Sequence, residues 1–158
     1  MRQYIGTKIV YACPAHRYMF ESGETMVVPH GEDTPTKVKE AVAGGDGYKV
    51  VYPDGYESWS PKDVFEAAYR ETSGMSFGLA IEAAKMGKKI ARAGWNGKNQ
   101  YVELASCISY KNAAGEVVNV DHCDIGNKAL AFVGTSGVQM GWLASQADML
   151  ADDWRIVE

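Results

Sequence analysis

Trp95 and Lys98 are the residues whose types and spacing have the clearest chemical use. They flank Asn96-Gly97, between the alternating runs Lys89-Ile-Ala-Arg-Ala93 and Gln100-Tyr-Val-Glu-Leu104. An Asn-Gly pair takes the positive φ angles that a two-residue hairpin turn requires. The spacing therefore predicts a β-hairpin closed by Trp95 and Lys98, a π face beside a cation, which suits a nucleobase and a phosphate. Lys85, Lys88, Lys89, Arg92 and Lys98 fall within residues 83–102 without any acid, in a chain of formal net charge -4. Such a local reversal of sign favours an anionic ligand. The plainer reading is that Trp95 packs on the hairpin and the lysines form a solvated face.

Nucleophilic chemistry has one candidate cluster, Asp121-His122-Cys123-Asp124. Adjacent residues on an extended chain point to opposite faces, so His122 is badly placed to activate Cys123, and triads are assembled in space rather than in sequence. A metal needs three or four convergent ligands, and only His16 and His30, far upstream, add an imidazole. No phosphate-binding Gly-x-x-x-x-Gly-Lys-Ser/Thr loop and no G-x-G-x-x-G occurs. The expectation is a protein that is not an enzyme, with no catalytic residue, metal or cofactor. What remains is a binder's inventory: Trp95, Trp142 and Trp154 for stacking, Arg92, Lys88, Lys89 and Lys98 for phosphates, and Asn96, Gln146, Asp148, Asp152 and Asp153 for hydroxyls and amines. Within it, Trp154 reads better as a core or interface residue and Asp148 as a helix cap, since Ser145-Gln-Ala-Asp148 has capping-box spacing with Asp in place of the usual Glu or Gln.

The elements that must position these residues fall into two parts. In residues 1–71 the expected elements are a strand over Gln3–Tyr11 ended by Pro14, a short strand at Thr25–Val28, and a weak helical stretch at Lys37–Val42. A hairpin of Gly47–Tyr52 with Tyr56–Trp59 follows, and then a helix over Pro61–Arg70 with Ser60 as N-cap and Val64, Phe65 and Ala68 covering one face. Glu71-Thr-Ser-Gly74 breaks the pattern and marks a domain boundary. Residues 75–158 begin with a helix capped by Ser76, apolar at Phe77, Ala80, Ile81 and Ala84 and stopped by Gly87. After the Trp95 hairpin come a second hairpin around Asn112-Ala-Ala-Gly115, a third of Lys128–Val133 with Val138–Trp142, a short helix over Gln146–Ala151 and a last strand at Asp153–Val157. The fold class is α+β with antiparallel pairing, since strands and helices do not alternate as a parallel sheet demands.

Composition agrees with a globular chain: 158 residues, 46% hydrophobic and 23% charged. No apolar run approaches the roughly 20 residues of a membrane span, and no signal-peptide core is seen. The expected location is the cytosol. Three cysteines without C-x-x-C spacing argue for reduced thiols. An acidic balance without a basic tail argues against a DNA or RNA polymer as partner, so the anion expected is small.

Met75–Lys98 and Trp142–Trp154 closely resemble the opening and closing motifs of a phage-encoded family, the second type of Thoeris anti-defence protein. Residues 75–158 are covered; between the motifs, Asp121 to Lys128 stands where a proline-containing stretch is common in that family, so no ligand contact is carried over from residues 105–140. The resemblance implies a sponge domain in the cytoplasm of an infected bacterial host. Such a domain sequesters cyclic ADP-ribose isomers (glycocyclic ADP-ribose) made by a TIR-domain enzyme of the Thoeris system, without cleaving them, in pockets between subunits of a homo-oligomer, a dimer or a tetramer built from dimers. Some members also take up cyclic oligonucleotides. The resemblance points to Trp95 as the base-stacking residue; to it the residue inventory adds Arg92, Lys88 and Lys98 for the pyrophosphate and Asn96, Gln146 or Asp152 for ribose hydroxyls. Residues 1–71 resemble a small phage-associated module, with an SH3-like barrel as its expected shape. Two readings compete with the sponge: an enzyme that degrades the nucleotide through His122, Cys123 and Asp124, and a protein-interaction module whose second domain only oligomerises.

Overall fold

The computed structural model describes residues 1–3, 6–118 and 128–158. They form two compact units, Met1–Arg70 and Glu71–Glu158. The Asp121–Asp124 cluster lies outside the described residues.

In the first unit, β1 (Tyr11–Met19), β2 (Thr25–Pro29), a 3-10 turn at Thr36–Glu40, β3 (Ala43–Val51), β4 (Glu57–Pro61) and α1 (Lys62–Ala68) follow in order. The sheet is antiparallel in the order β2-β1-β3-β4, and no pairing closes β4 onto β2 among the described residues. The first strand is therefore not Gln3–Tyr11; it starts where that expectation ended and runs through Pro14. The ladder with β3, from Tyr11↔Val51 to Met19↔Ala43, holds it there. Pro14 is tolerated because its carbonyl faces the His30 N–H at 2.9 Å. Its donor-less nitrogen then faces the same side, where β2 has already ended at Pro29, opposite Ala15.

The helix start also differs from expectation. The β3–β4 ladder runs one residue past Ser60, through Pro61 opposite Gly47, so the helix begins at Lys62 and Pro61 takes the N-cap position with no side-chain bond. Val64 and Ala68 are exposed; α1 is instead held through Phe65, stacked between Tyr48 at 4.2 Å and Tyr69 at 4.7 Å. Ala15, Phe20, Val28 and Val50 are the buried apolar residues of this unit.

The second unit contains α2 (Phe77–Lys85), β5 (Lys89–Arg92), β6 (Tyr101–Ala105), β7 (Tyr110–Lys111), β8 (Val117–Val118), β9 (Ala129–Gly134), β10 (Gly137–Met140), α3 (Gln146–Met149) and β11 (Trp154–Val157). Five strands make an antiparallel sheet in the order β10-β9-β6-β5-β11, while β7 and β8 pair separately across the Asn112–Gly115 turn. Helix α2 follows its sequence pattern. It buries Ala80, Ala83 and Ala84, and Gly87 ends it at φ +82, a conformation that costs glycine little. Ser76 sits at the N-cap, although its side chain makes no capping bond. The core gathers Met75, Ala80, Ala83, Ala84, Ile90 and Val102 around Trp154, which is wholly buried. The Trp154 indole N–H is satisfied by the Asp148 carbonyl at 2.8 Å, so its burial strands no donor. No helix of the described residues is long and apolar enough to cross a membrane.

Candidate functional site

Asp153 decides the course of the chain after β5. Its carbonyl accepts from the Ala93 N–H at 3.0 Å, and its carboxylate accepts from the Gly94 N–H at 2.9 Å and from Arg92 Nε at 2.7 Å. Arg92 stands opposite Trp154 in the β5–β11 ladder, so the segment is drawn toward β11 and away from β6. Strands β5 and β6 share only the Ile90↔Val102 pairing. The two-residue turn expected at Asn96-Gly97 does not form. Residues 93–100 make a wide loop in which Asn99, not Asn96, takes the positive φ of 56, and Gly97 packs against the Gln100 side chain. Trp95 and Lys98 are consequently not a closing pair.

A second carboxylate fixes the base of this loop. Ser145 and Asp148 form a capping box at the start of α3, the hydroxyl accepting from the Asp148 N–H and the Asp148 carboxylate accepting from the Ser145 N–H. The other Asp148 oxygen accepts from Arg92 Nη1 at 3.1 Å and from the Trp95 indole N–H at 3.2 Å. Arg92 Nη1 also reaches the Ala147 carbonyl at 3.2 Å.

These bonds shift the acids and the base in opposite directions. Bonding to Asp153 first, and to Asp148 next, raises the Arg92 guanidinium above its ordinary value. Arg92 holds Asp153 below the usual carboxylate range, with help from the Gly94 N–H and against the effect of burial. At Asp148 burial is the largest influence and pushes upward, but the Ser145 hydroxyl, Arg92, the Ser145 N–H and Trp95 together outweigh it and keep the carboxyl low. A guanidinium held by two carboxylates carries a local charge of minus one, so Arg92 anchors the loop and offers an anion little.

Trp95 is half-buried, edge-on to Phe132 at 5.5 Å, Trp142 at 5.9 Å and Trp154 at 5.4 Å. Trp142 is held beside β9 by its N–H bond to the Leu130 carbonyl at 2.9 Å. The readings of Trp154 as core and Asp148 as cap agree with this arrangement.

The loop and α3 bring most of the expected binding residues into one neighbourhood. Asn96 and Lys98 are exposed on the loop, Gln146 opens α3, and Asp152 precedes the anchoring Asp153; all four are exposed, and none makes a side-chain hydrogen bond or ion pair among the described residues. Lys88 is the outlier. It precedes β5, about 13 Å along an extended chain from Arg92, and its neighbour Lys89 lies over the Tyr101 ring at 4.8 Å. The loop-holding role of Asp153 and the ring contact of Phe132 had no signal in the sequence, whereas the Ser145–Asp148 spacing announced its capping box. Among the described residues no group of three His, Cys, Asp or Glu is placed to hold a metal.

A family model for a Thoeris anti-defense 2-like domain matches residues 75–157, the α2-to-β11 span that contains the whole of this site. Thoeris anti-defense 2 of Bacillus phage SP01 is 39% identical over 88 residues, which cover 52% of this chain and 94% of that protein.

Proposed function

The chain belongs to the Thoeris anti-defense 2-like family, and from that premise we propose that it acts against Thoeris by binding and holding a cyclic ADP-ribose isomer without cleaving it. The observation that carries the reading is the loop at residues 93–100. Its base is tied to Asp148 and Asp153 through Arg92, Gly94 and Trp95, while Asn96 and Lys98 are left exposed. A site held this way loses little entropy when a ligand arrives.

In this reading adenine lies on the solvent-facing part of Trp95, a contact worth about 1–3 kcal/mol per stacked base. Lys98 meets the pyrophosphate, and a charge-assisted bond adds about 1.5–3 kcal/mol. Asn96, Gln146 and Asp152 take ribose hydroxyls and the base amine. Arg92 positions the loop, and Lys88, at the far end of β5, contributes to attraction over distance or to a ligand bridging copies. The exposed Val138, Met140 and Leu143 at the β10 edge, and Met149 and Leu150 at the end of α3, are apolar surface for a second copy to cover. A homo-oligomer in the host cytoplasm, taking cyclic oligonucleotides as a second class of signal, completes the proposal.

The test is to mix the full-length protein with a TIR-generated cyclic ADP-ribose isomer, filter, heat the protein and chromatograph what it releases. Depletion followed by intact release is expected, and Lys98→Glu should abolish depletion while leaving the fold intact. An altered product would replace the sponge with an enzyme and turn attention to His122 and Cys123. No depletion would overturn the reading.

A further inference from the structure

A second set of unused hydrogen-bonding groups lies in the first unit, on one face of its sheet. The register places Ala15 opposite Gly47, Gly47 opposite Pro61, and Arg17 opposite Gly45. Alternate residues of a strand share a face, so Arg17, Gly45, Gly47 and Trp59 lie on the same side. The Trp59 indole rests on the Gly47 backbone, where an added Cβ would stand 2.7 Å from Cε2 and Cζ2. The Arg17 guanidinium carbon lies 4.0 Å from the indole centroid. Backbone, indole and guanidinium therefore form three layers, a favourable cation–π arrangement.

The stack leaves its polar atoms unmatched. Arg17 Nε and Trp59 Nε1 are both shielded from solvent, and neither has an acceptor. Arg17 forms no ion pair among the described residues, and Glu57, two positions before Trp59 on the same face, is bound by Lys49 at 3.0 Å. A buried donor without an acceptor costs stability, so two in one stack are not explained by packing alone.

The glycines of β3 supply an independent observation. Gly44 is required because a Cβ there would stand 2.6 Å from the Arg17 carbonyl oxygen and 2.7 Å from His16 Nε2, and Gly47 because a Cβ there would meet the Ser60 carbonyl oxygen first and then the Trp59 ring. Gly45 has nothing within 4 Å of its Cβ position. It stands beside Arg17, and β4 pairs with β3 only as far as Gly47, so the far side of Gly45 carries no neighbouring strand. Glycine weakens a strand interior, and one that no neighbouring atom requires leaves room for a ligand to approach the backbone closely.

We propose that Arg17, backed by Trp59 and floored by Gly45, is an oxyanion-binding site in the first unit, separate from the loop of the second. The ligand carries paired anionic oxygens, on a carboxylate or a phosphate, that meet the planar fork of the guanidinium. Nothing in this assignment depends on the signal-binding reading.

The test is a titration of the isotope-labelled full-length chain followed by NMR at the Arg17 Nε–H and Trp59 indole N–H. Inorganic phosphate and succinate are added in separate arms, with sodium chloride at matched ionic strength as control. Saturable shifts of both resonances with phosphate, succinate or both are expected and assign the class of oxyanion; chloride should give none. Arg17→Lys keeps the charge but loses the fork and should weaken binding about tenfold. Gly45→Val keeps Arg17, places methyl groups on the open floor, and should abolish the shifts with an unchanged circular dichroism spectrum. Equal responses to all three salts, or full saturation in the Gly45→Val protein, would overturn the proposal.

Discussion

Replacing Trp95 tests whether its ring is an anchored part of the fold or a free platform. Trp95→Ala removes three edge-on ring contacts and the indole bond to Asp148. Large-to-small aromatic changes cost about 3–5 kcal/mol, and a half-buried ring belongs at the lower end, about 3 kcal/mol. Trp95→Phe keeps a smaller aromatic ring in the cluster and loses the indole N–H with part of the ring's packing surface. Because the same Asp148 oxygen still accepts from Arg92, no acceptor is orphaned, and the cost should be about 1 kcal/mol. At about 4–8 °C per kcal/mol for a domain of this size, the two variants should melt about 12–24 °C and about 4–8 °C below the parent. Thermal denaturation followed by tryptophan fluorescence is the assay, since three of the four tryptophans (Trp95, Trp142 and Trp154) lie in the second unit. A Trp95→Ala protein melting within about 2 °C of the parent would refute the reasoning, because the ring would then carry no packing load. The comparison also governs any binding experiment: lost binding in Trp95→Ala mixes stacking with unfolding, so binding by that variant must be read well below its melting temperature.

Two further outcomes follow from the same carboxylates. Ser145→Ala removes the hydroxyl that accepts from the Asp148 N–H and should cost about 1 kcal/mol, read as a lowered melting temperature of the same transition; an unchanged melt would remove the cap from the account. Asp148 and Asp153 both have depressed carboxyl pKa values in the fold. Their contribution is therefore complete above the ordinary carboxylate pKa of about 3.9 and is lost as the pH falls through the lower folded values. Urea melts should show the second unit weakening below about pH 4, less steeply in Asp153→Asn, and a flat profile from pH 7 to pH 3 would contradict the assignment.

The organisation of the second unit was largely legible because its cues are local. The Phe77-to-Ala84 spacing, the stop at Gly87, the turn at Asn112–Gly115 and the Ser145–Asp148 box each involve residues within about two helical turns of one another, and the structure places elements at all four. The resemblance of Met75–Lys98 and Trp142–Trp154 to an anti-defence family was carried by the same stretches, and the family match over residues 75–157 and the 39% identity to the phage relative bear it out. The first unit was less legible. Pro14 reads as a strand terminator, and its harmlessness depends on which side of β1 its nitrogen faces, a property of the pairing with β2 and β3. Ser60 reads as a cap until the β3–β4 ladder carries the strand one residue further, to Pro61.

The sequence by itself determined residue types, helical periodicities and the family, because these are written in neighbouring positions. The candidate site belongs to the tertiary structure. Arg92 and Asp153 are 61 residues apart, Arg92 and Asp148 56, and Trp95 and Asp148 53. Asn96-Gly97 had the local preference for a tight turn, but that preference is weaker than the bonds by which Asp153 takes the Ala93 and Gly94 N–H groups and Arg92. A turn preference is set by two residues, whereas the loop is set by a β5–β11 pairing that exists only once the chain has folded.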